Sequence, residues 1–247
     1  MKFKKLVLAV SAVSALAGYT QAALADKVKV VMHAKEVTLE IDNKGTKYPA
    51  WTFEGQIPGP VVRVKEGDTI EFELVNDNTN KESHSMDFHA AQVDVLNEFA
   101  PVKPGETKKF TFDARYPGVF MYHCGSAPMH QHIARGMYGI VIVDPKEGYS
   151  DKFPRPDREY VLVQGQYFAN ADDHHAIMED EGYTGSLING KMFNYDPVHD
   201  QNASKVLEAK PGERVRIHYV NANINRPAAI HPIAGIWDAV YPSGNPA

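Results

Sequence analysis

In "MYHCGSAPMHQHIARGM", residues 121–137, the chain's single cysteine, Cys124, directly follows His123. His130 and His132 come a few residues later, and Met137 closes the stretch. Thiol, imidazole and thioether at this density are the donors that select transition metals. Together with the distant His84, three of these residues make one mononuclear set: His84, Cys124, His132 and Met137. Two imidazoles, a thiolate and a weak axial thioether are the trigonal ligands of electron-transfer copper. Zinc prefers four strong ligands in a tetrahedron and gains little from methionine. Any one of these residues alone has an ordinary explanation as a buried Met, a core Cys or a surface His. His130 competes with His132 for the loop position. The four-residue spacing to Met137 favours His132 and leaves His130 beside the site or exposed.

A second centre follows from strand parity. Successive side chains on a strand point to opposite faces, so if Cys124 points inward, His123 points outward. His84 and His89 are five apart and would also face opposite ways on a regular strand. His89 and His123 then converge on the outer face as the start of another metal site. Asp87 shares the face of His89, and a carboxylate beside a metal is a candidate proton donor to bound substrate. The His123–Cys124 peptide would join the two metals as a covalent electron path.

The elements that must position these residues read as all-β. "DTIEFELVN" alternates Ile70, Phe72 and Leu74 against Glu71, Glu73 and Val75, and "KKFTFDA" and "VRIHYVN" follow the same period of two. "MYGIVIVDP" is almost continuously apolar and suits a strand buried on both faces. Turns at "IPGP", "KEGD", "KPGE" and "YPGV" punctuate the chain, and only residues 172–181 carry a weak helical pattern. Many short strands with Gly/Pro turns indicate a Greek-key sandwich or barrel. "VVRVKEGDTIEFELVN" (61–76) and "KVLEAKPGERVRIHYVN" (205–221) repeat one pattern, with Gly67 matching Gly212 and Asn76 matching Asn221. Two tandem β-domains are expected, divided in the Pro- and charge-rich "DPKEGYSDKFPRPDRE" (144–159), as residues 26–145 and 146–247. Only 35 residues follow Gly212, against 76 between Gly67 and Val143. The second domain is therefore expected to be incomplete.

Lys2, Lys4 and Lys5, an apolar run from Leu6 to Gly18 and a closing Ala-Leu-Ala have the form of a secretory signal peptide over residues 1–25. The run is short for a membrane span. Export to the periplasm and no membrane span are the expectations. The net charge of −5 becomes −8 without those three lysines, which gives no electrostatic footprint for nucleic acid. One cysteine forms no internal disulfide, and a lone thiol in an oxidising compartment calls for an occupant such as a metal.

Three segments resemble the copper-containing nitrite reductases, a family of two cupredoxin domains: "SHSMDFHAA" (83–91), "YHCGSAPMHQHIARGMYGIVIVDP" (122–145) and "AAIHPIAGIWDAVY" (228–241). The resemblance runs from about residue 28 to the end of the chain. It implies that His84, Cys124, His132 and Met137 hold type 1 copper and that His89 and His123 are two of three type 2 copper ligands. Asp87 and His231 resemble the catalytic pair that protonates nitrite, and Ile233 the aliphatic residue shaping the nitrite pocket. The third type 2 histidine would come from the second domain of a neighbouring subunit in a homotrimer, in the part the repeat predicts to be missing. The implied reaction is one-electron reduction of nitrite to nitric oxide. Electrons would come from a small periplasmic donor, a cupredoxin or c-type cytochrome. Denitrification and nitrate assimilation are pathways of that kind.

Two rivals stand beside this reading. A multicopper oxidase would need several His-x-His pairs and a histidine on both sides of the cysteine, but Gly125 follows Cys124 and the one His-x-His is His130-Gln131-His132. A cupredoxin-type electron carrier without catalysis needs only the type 1 set. His33 and His218 are expected on strands at polar or half-exposed positions, His174-His175 at a solvated helix start and His199 in a polar loop.

Overall fold

The computed structural model describes residues 25–200 and 206–246. The expected signal peptide lies, apart from Ala25, outside the described residues. Eleven strands form three sheets among the described residues. β1 (Lys27–Glu40), β2 (Lys47–Phe53), β4 (Thr69–Asn76) and β6 (Thr107–Asp113) make one sheet in the order β2-β1-β4-β6. β3 (Val62–Lys65), β5 (Asp87–Phe88), β7 (Gly118–His123) and β8 (Tyr138–Asp144) make the second, ordered β3-β8-β7-β5. β9 (Arg158–Phe168), β10 (Tyr183–Ile188) and β11 (Val215–Asn221) make the third, ordered β10-β9-β11. This is an all-β, cupredoxin-like architecture.

Side-chain alternation builds the first core. β4 buries every second residue, Ile70, Phe72, Leu74 and Asn76, as its pattern predicts. Ile70, Phe72 and Leu74 pack with Met32 and Ala34 of β1 and Phe110 and Phe112 of β6. The opposing sheet contributes Val62, Val64, Tyr122, Val141 and Val143. Cys124 and Met137 belong to the same cluster, so the metal-loop sulfurs sit at the end of a closed apolar core.

β8 supplies two cores at once. Val141 and Val143 face the first. Ile140 and Ile142 face a second that contains Tyr48 and Ala50 of β2, Val163 and Tyr167 of β9, Leu187 of β10 and Val220 of β11. The continuously apolar "GIVIV" is the sequence signature of that double burial.

The internal repeat has a structural counterpart. β4 lies parallel to β1, and β11 lies parallel to β9. Gly67 and Gly212 precede β4 and β11 with φ of +97° and +87°. No heavy atom would lie within 4 Å of a Cβ at either position. The backbone conformation, rather than space, is what demands glycine there.

Three expectations need correction. Besides α3 (His174–Met178), inside the expected helical stretch, the described residues hold two further short α-helices, α1 (Val95–Glu98) and α2 (Met129–Ala134), and a 3₁₀ turn at Pro242–Gly244. α1 and α2 are 4 and 6 residues long, so neither spans the two turns from which a 3.6-residue period becomes visible. His84 and His89 do not share a regular strand. His84 makes an isolated bridge with Val102, and only Asp87–Phe88 are strand between them. His218 is buried against Glu159 rather than half-exposed, at 3.1 Å. Its burial comes from β9 lying alongside, which periodicity within one strand cannot report. Among the described residues, no helix is long and apolar enough to cross a membrane.

Candidate metal centres

The loop between the hydrogen-bonded neighbours β7 and β8 folds into α2 and returns at Gly136, carrying Cys124, His132 and Met137. Two backbone hydrogen bonds close it: Cys124 N–H to the Met137 carbonyl at 3.0 Å, and Met137 N–H to the His132 carbonyl at 3.1 Å. His84 arrives from the β4–β5 connection. Its amide and carbonyl both pair with Val102, at 3.1 and 2.8 Å.

At this end of the core, His84 Nδ1 and Cys124 Sγ each lie 3.2 Å from His132 Nδ1. The three donor atoms fall within 4.8 Å of one another, and all three residues are buried. Met137 is fully buried beside them, its carbonyl already engaged by Cys124. Trp51 packs on His132 with centroids 4.6 Å apart, and the Arg135 guanidinium lies over the indole ring at 4.8 Å.

Electrostatics suit a cation here. Burial pushes the imidazolium forms of His84 and His132 down to pKa values of about 4 and about 3, with mutual repulsion adding to the second. Both imidazoles are therefore neutral at pH 7, the state that ligates metals. Burial drives the Cys124 thiol upward, against hydrogen bonds from Ser85 and Ser126. The Ser85 amide points at Sγ from 3.3 Å. A thiolate with such a donor in an apolar core needs a compensating positive charge, and a bound metal supplies one. Two neutral imidazoles, a thiol and a buried thioether fit copper by donor type.

A second cluster lies on the other side of the His123–Cys124 peptide. Asp87 of β5 is register partner to His123 of β7, and the His89 amide donates to the Met121 carbonyl at 3.1 Å. These pairings bring His89 Nε2 to 3.1 Å from His123 Nε2, with Asp87 Oδ2 3.9 Å from the latter. Donor atoms of the three residues again fall within 4.8 Å of one another. His123 Nδ1 is 2.9 Å from the Cys124 carbonyl, so Nδ1 carries the proton and Nε2 presents its lone pair. Burial and the neighbouring His123 lower the pKa of His89, with Asp87 opposing. The parity argument separates the two clusters correctly at His123–Cys124, although the His84–His89 segment reaches the same result by irregular backbone.

His231 and Ile233 stand elsewhere. Both are exposed, Ile233 at 90 %, in a stretch without strands after β11. His231 lines a shallow cleft over the third sheet with Leu162, Gln164 and Tyr219. No hydrogen bond or ion pair joins it to Asp87 among the described residues; its ring nitrogen meets the Pro232 carbonyl at 3.2 Å. Sequence reasoning missed Glu36, whose carboxylate lies 3.4 Å from His84 Nε2, and Trp51, Ser85 and Arg135 around the first cluster. Ser85 could have been found, since it directly follows His84. Glu36 and Trp51 come from β1 and β2 and leave no trace in the spacing.

A family model described as multicopper oxidase matches residues 33–148. The solved copper nitrite reductase of Nitrosomonas europaea is 59% identical, with a TM-score of 0.86 over 90% of this chain and 76% of that one. A copper-containing nitrite reductase of Thermus scotoductus SA-01 is 30% identical, with a TM-score of 0.77 over 89% of this chain and 50% of that one. Among curated proteins, the copper-containing nitrite reductase of Neisseria meningitidis serogroup A is 38% identical over 229 residues, 88% of this chain and 56% of that protein. The chain thus spans little more than half the length of the curated relatives it matches. Because it is 59% identical to a solved copper nitrite reductase and covers about three-quarters of that chain, this chain belongs to the copper-containing nitrite reductase family.

Proposed function

We propose that this protein reduces nitrite to nitric oxide, consuming one electron and two protons and releasing water. The observation that carries the reading is the pair of three-residue clusters joined by a single peptide, His123–Cys124. His84, Cys124, His132 and Met137 would hold the type 1 copper, where the electron would enter. His89 and His123 belong to the type 2 site. Copper, when bound, supplies a one-electron couple at the first cluster and a Lewis acid for an anionic substrate at the second.

The chain's own residues do the rest. The His123–Cys124 peptide is a short covalent route from one cluster to the other. Hydrogen bonding of His123 Nδ1 to the Cys124 carbonyl fixes the ring on that route. Asp87, half-exposed beside His123, delivers a proton to the departing nitrite oxygen. His231 is its partner in proton supply and Ile233 shapes the pocket, both from another copy of the chain in a homotrimer. Their exposure here suits that role. The third type 2 imidazole would come from a stretch of a neighbouring subunit's second domain that these 247 residues do not contain.

The wider reading is an exported periplasmic protein of two cupredoxin domains, residues 26–145 and 146–247, fed by a small cupredoxin or c-type cytochrome. A second reading, an electron carrier without catalysis, is favoured by one observation: the second cluster has two imidazoles and a carboxylate but no third imidazole among the described residues. Anaerobic assay of copper-loaded protein with nitrite and a reduced viologen separates them. Asp87→Asn should lower nitric oxide production by about 10²–10⁴-fold with the type 1 absorption intact. Unchanged turnover in that variant would remove Asp87 from the reaction. No turnover by a copper-replete trimer would leave the electron-carrier reading.

A further inference from the structure

Three histidine pairs among those described here share one geometry, and only two of them lie in the clusters above. His84 and His132 have nitrogens 3.2 Å apart, ring centroids 5.2 Å apart and planes at 81°. His89 and His123 give 3.1 Å, 5.1 Å and 80°. The third pair is His130 Nε2 and His174 Nδ1, at 3.1 Å, 5.1 Å and 87°. Two nitrogens bound at about 2.0–2.1 Å to one ion lie about 2.9–3.4 Å apart for angles between a right angle and the tetrahedral value. The third pair meets that condition as well as the other two do.

The pair is also held in place. His130 sits on α2, the helix that carries His132, and His174 opens α3. Asp172 ties the two helices together, accepting from Gln131 Nε2 at 2.9 Å and pairing with Arg135. The Asp173 side chain caps α3 by accepting from the Ala176 amide at 3.0 Å. His130 is half-buried and His174 exposed, so an ion held between them would keep its remaining positions open to water. The expectation of a merely solvated helix start at His174-His175 took no account of His130, which is 44 residues away in sequence.

We infer that His130 and His174 form a third, surface metal site, a two-imidazole clamp for a divalent late transition ion of the zinc, nickel or copper(II) type, bridging the type 1 loop helix to α3. The donor set is borderline nitrogen only, so the site takes such ions in preference to calcium or magnesium, which require oxygen. It is independent of nitrite chemistry and does not rest on the reading proposed for the copper clusters.

The test is titration of the full, copper-loaded chain with zinc chloride, followed by calorimetry and by thermal unfolding. Wild type should take up one zinc more than His174→Ala or His130→Ala, each of which should bind that ion at least tenfold more weakly. His175→Ala should match wild type. Because the ion spans two helices, zinc should raise the unfolding temperature of wild type but not of His174→Ala. Equal zinc uptake by wild type and both variants would overturn the site and leave an imidazole–imidazole hydrogen bond. Equal thermal stabilisation of wild type and His174→Ala would do the same. The copper-site absorption of each variant reports its folding, and His174→Gln provides a second variant of similar size.

Discussion

The hydroxyl of Ser85 accepts from the Gly125 amide at 2.9 Å while its own amide points at Cys124 Sγ from 3.3 Å. One residue thereby fixes the backbone on the far side of the cysteine and the polarity around its sulfur. Ser85→Ala keeps the amide but leaves the Gly125 N–H without its partner. Gly125 is exposed and water can replace the hydroxyl, so the expected cost is about 0.5–1.5 kcal/mol, read from denaturant unfolding. If copper occupies the first cluster as proposed, its reduction potential should shift too, since hydrogen bonding near the sulfur tunes it.

The two clusters should be separable by substitution. Cys124→Ala removes the sulfur from the first cluster and leaves His89 and His123 untouched. His89→Ala does the converse. Metal analysis should find each variant short of one copper per chain, with the visible thiolate absorption lost only in the Cys124 variant. Loss of both coppers from either variant, with the fold intact, would contradict two independent sites.

Acid should loosen the contact between the second and third sheets. Glu159 of β9 is partly buried, which by itself raises its pKa, but hydrogen bonds from Arg63 and His218 outweigh this and bring it to about 2. A carboxylate depressed in the folded state contributes stability above its unfolded pKa, near 4.5, and loses it as pH falls towards 2. Unfolding midpoints should decline through that window, and Glu159→Gln should flatten the decline. At neutral pH the same substitution should cost about 1.5–3 kcal/mol, as expected for hydrogen bonds to charged groups.

Gly67 and Gly212 make a matched pair. Both have positive φ and open space where a Cβ would stand. Alanine at either should cost about 1–2 kcal/mol from backbone conformation alone, and asparagine less. Chemical denaturation of the two variants should give similar losses; a much larger loss at one would mean that its turn carries more than conformation.

Legibility of the sequence followed the range of the interactions. The alternation in β4 and the unbroken apolar run in β8 report burial residue by residue, so strands and layers could be read directly. Cys124, His132 and Met137 lie within 14 residues of one another and could be read as a set. The turn of α2 within that loop could not, because six residues with a proline ahead of them show no period. Trp51 over His132 and His174 beside His130 come from distant segments, and only the folded topology brings them to the loop. Asp87 and His231 were expected as a pair, yet within one chain no hydrogen bond or ion pair joins them among the described residues.

β8 belongs to two cores, and this restricts how the molecule can be divided. A fragment ending at Asp144 would carry the complete first cluster, yet would turn Ile140 and Ile142, with the Tyr48–Ala50 face of β2, towards water. Such a fragment would have an adhesive side as well as the first metal cluster. Minimal versions that keep only residues up to Asp144 will therefore need polar replacements on that face before they behave as monomers, and Ile140 and Ile142 are where redesign should begin.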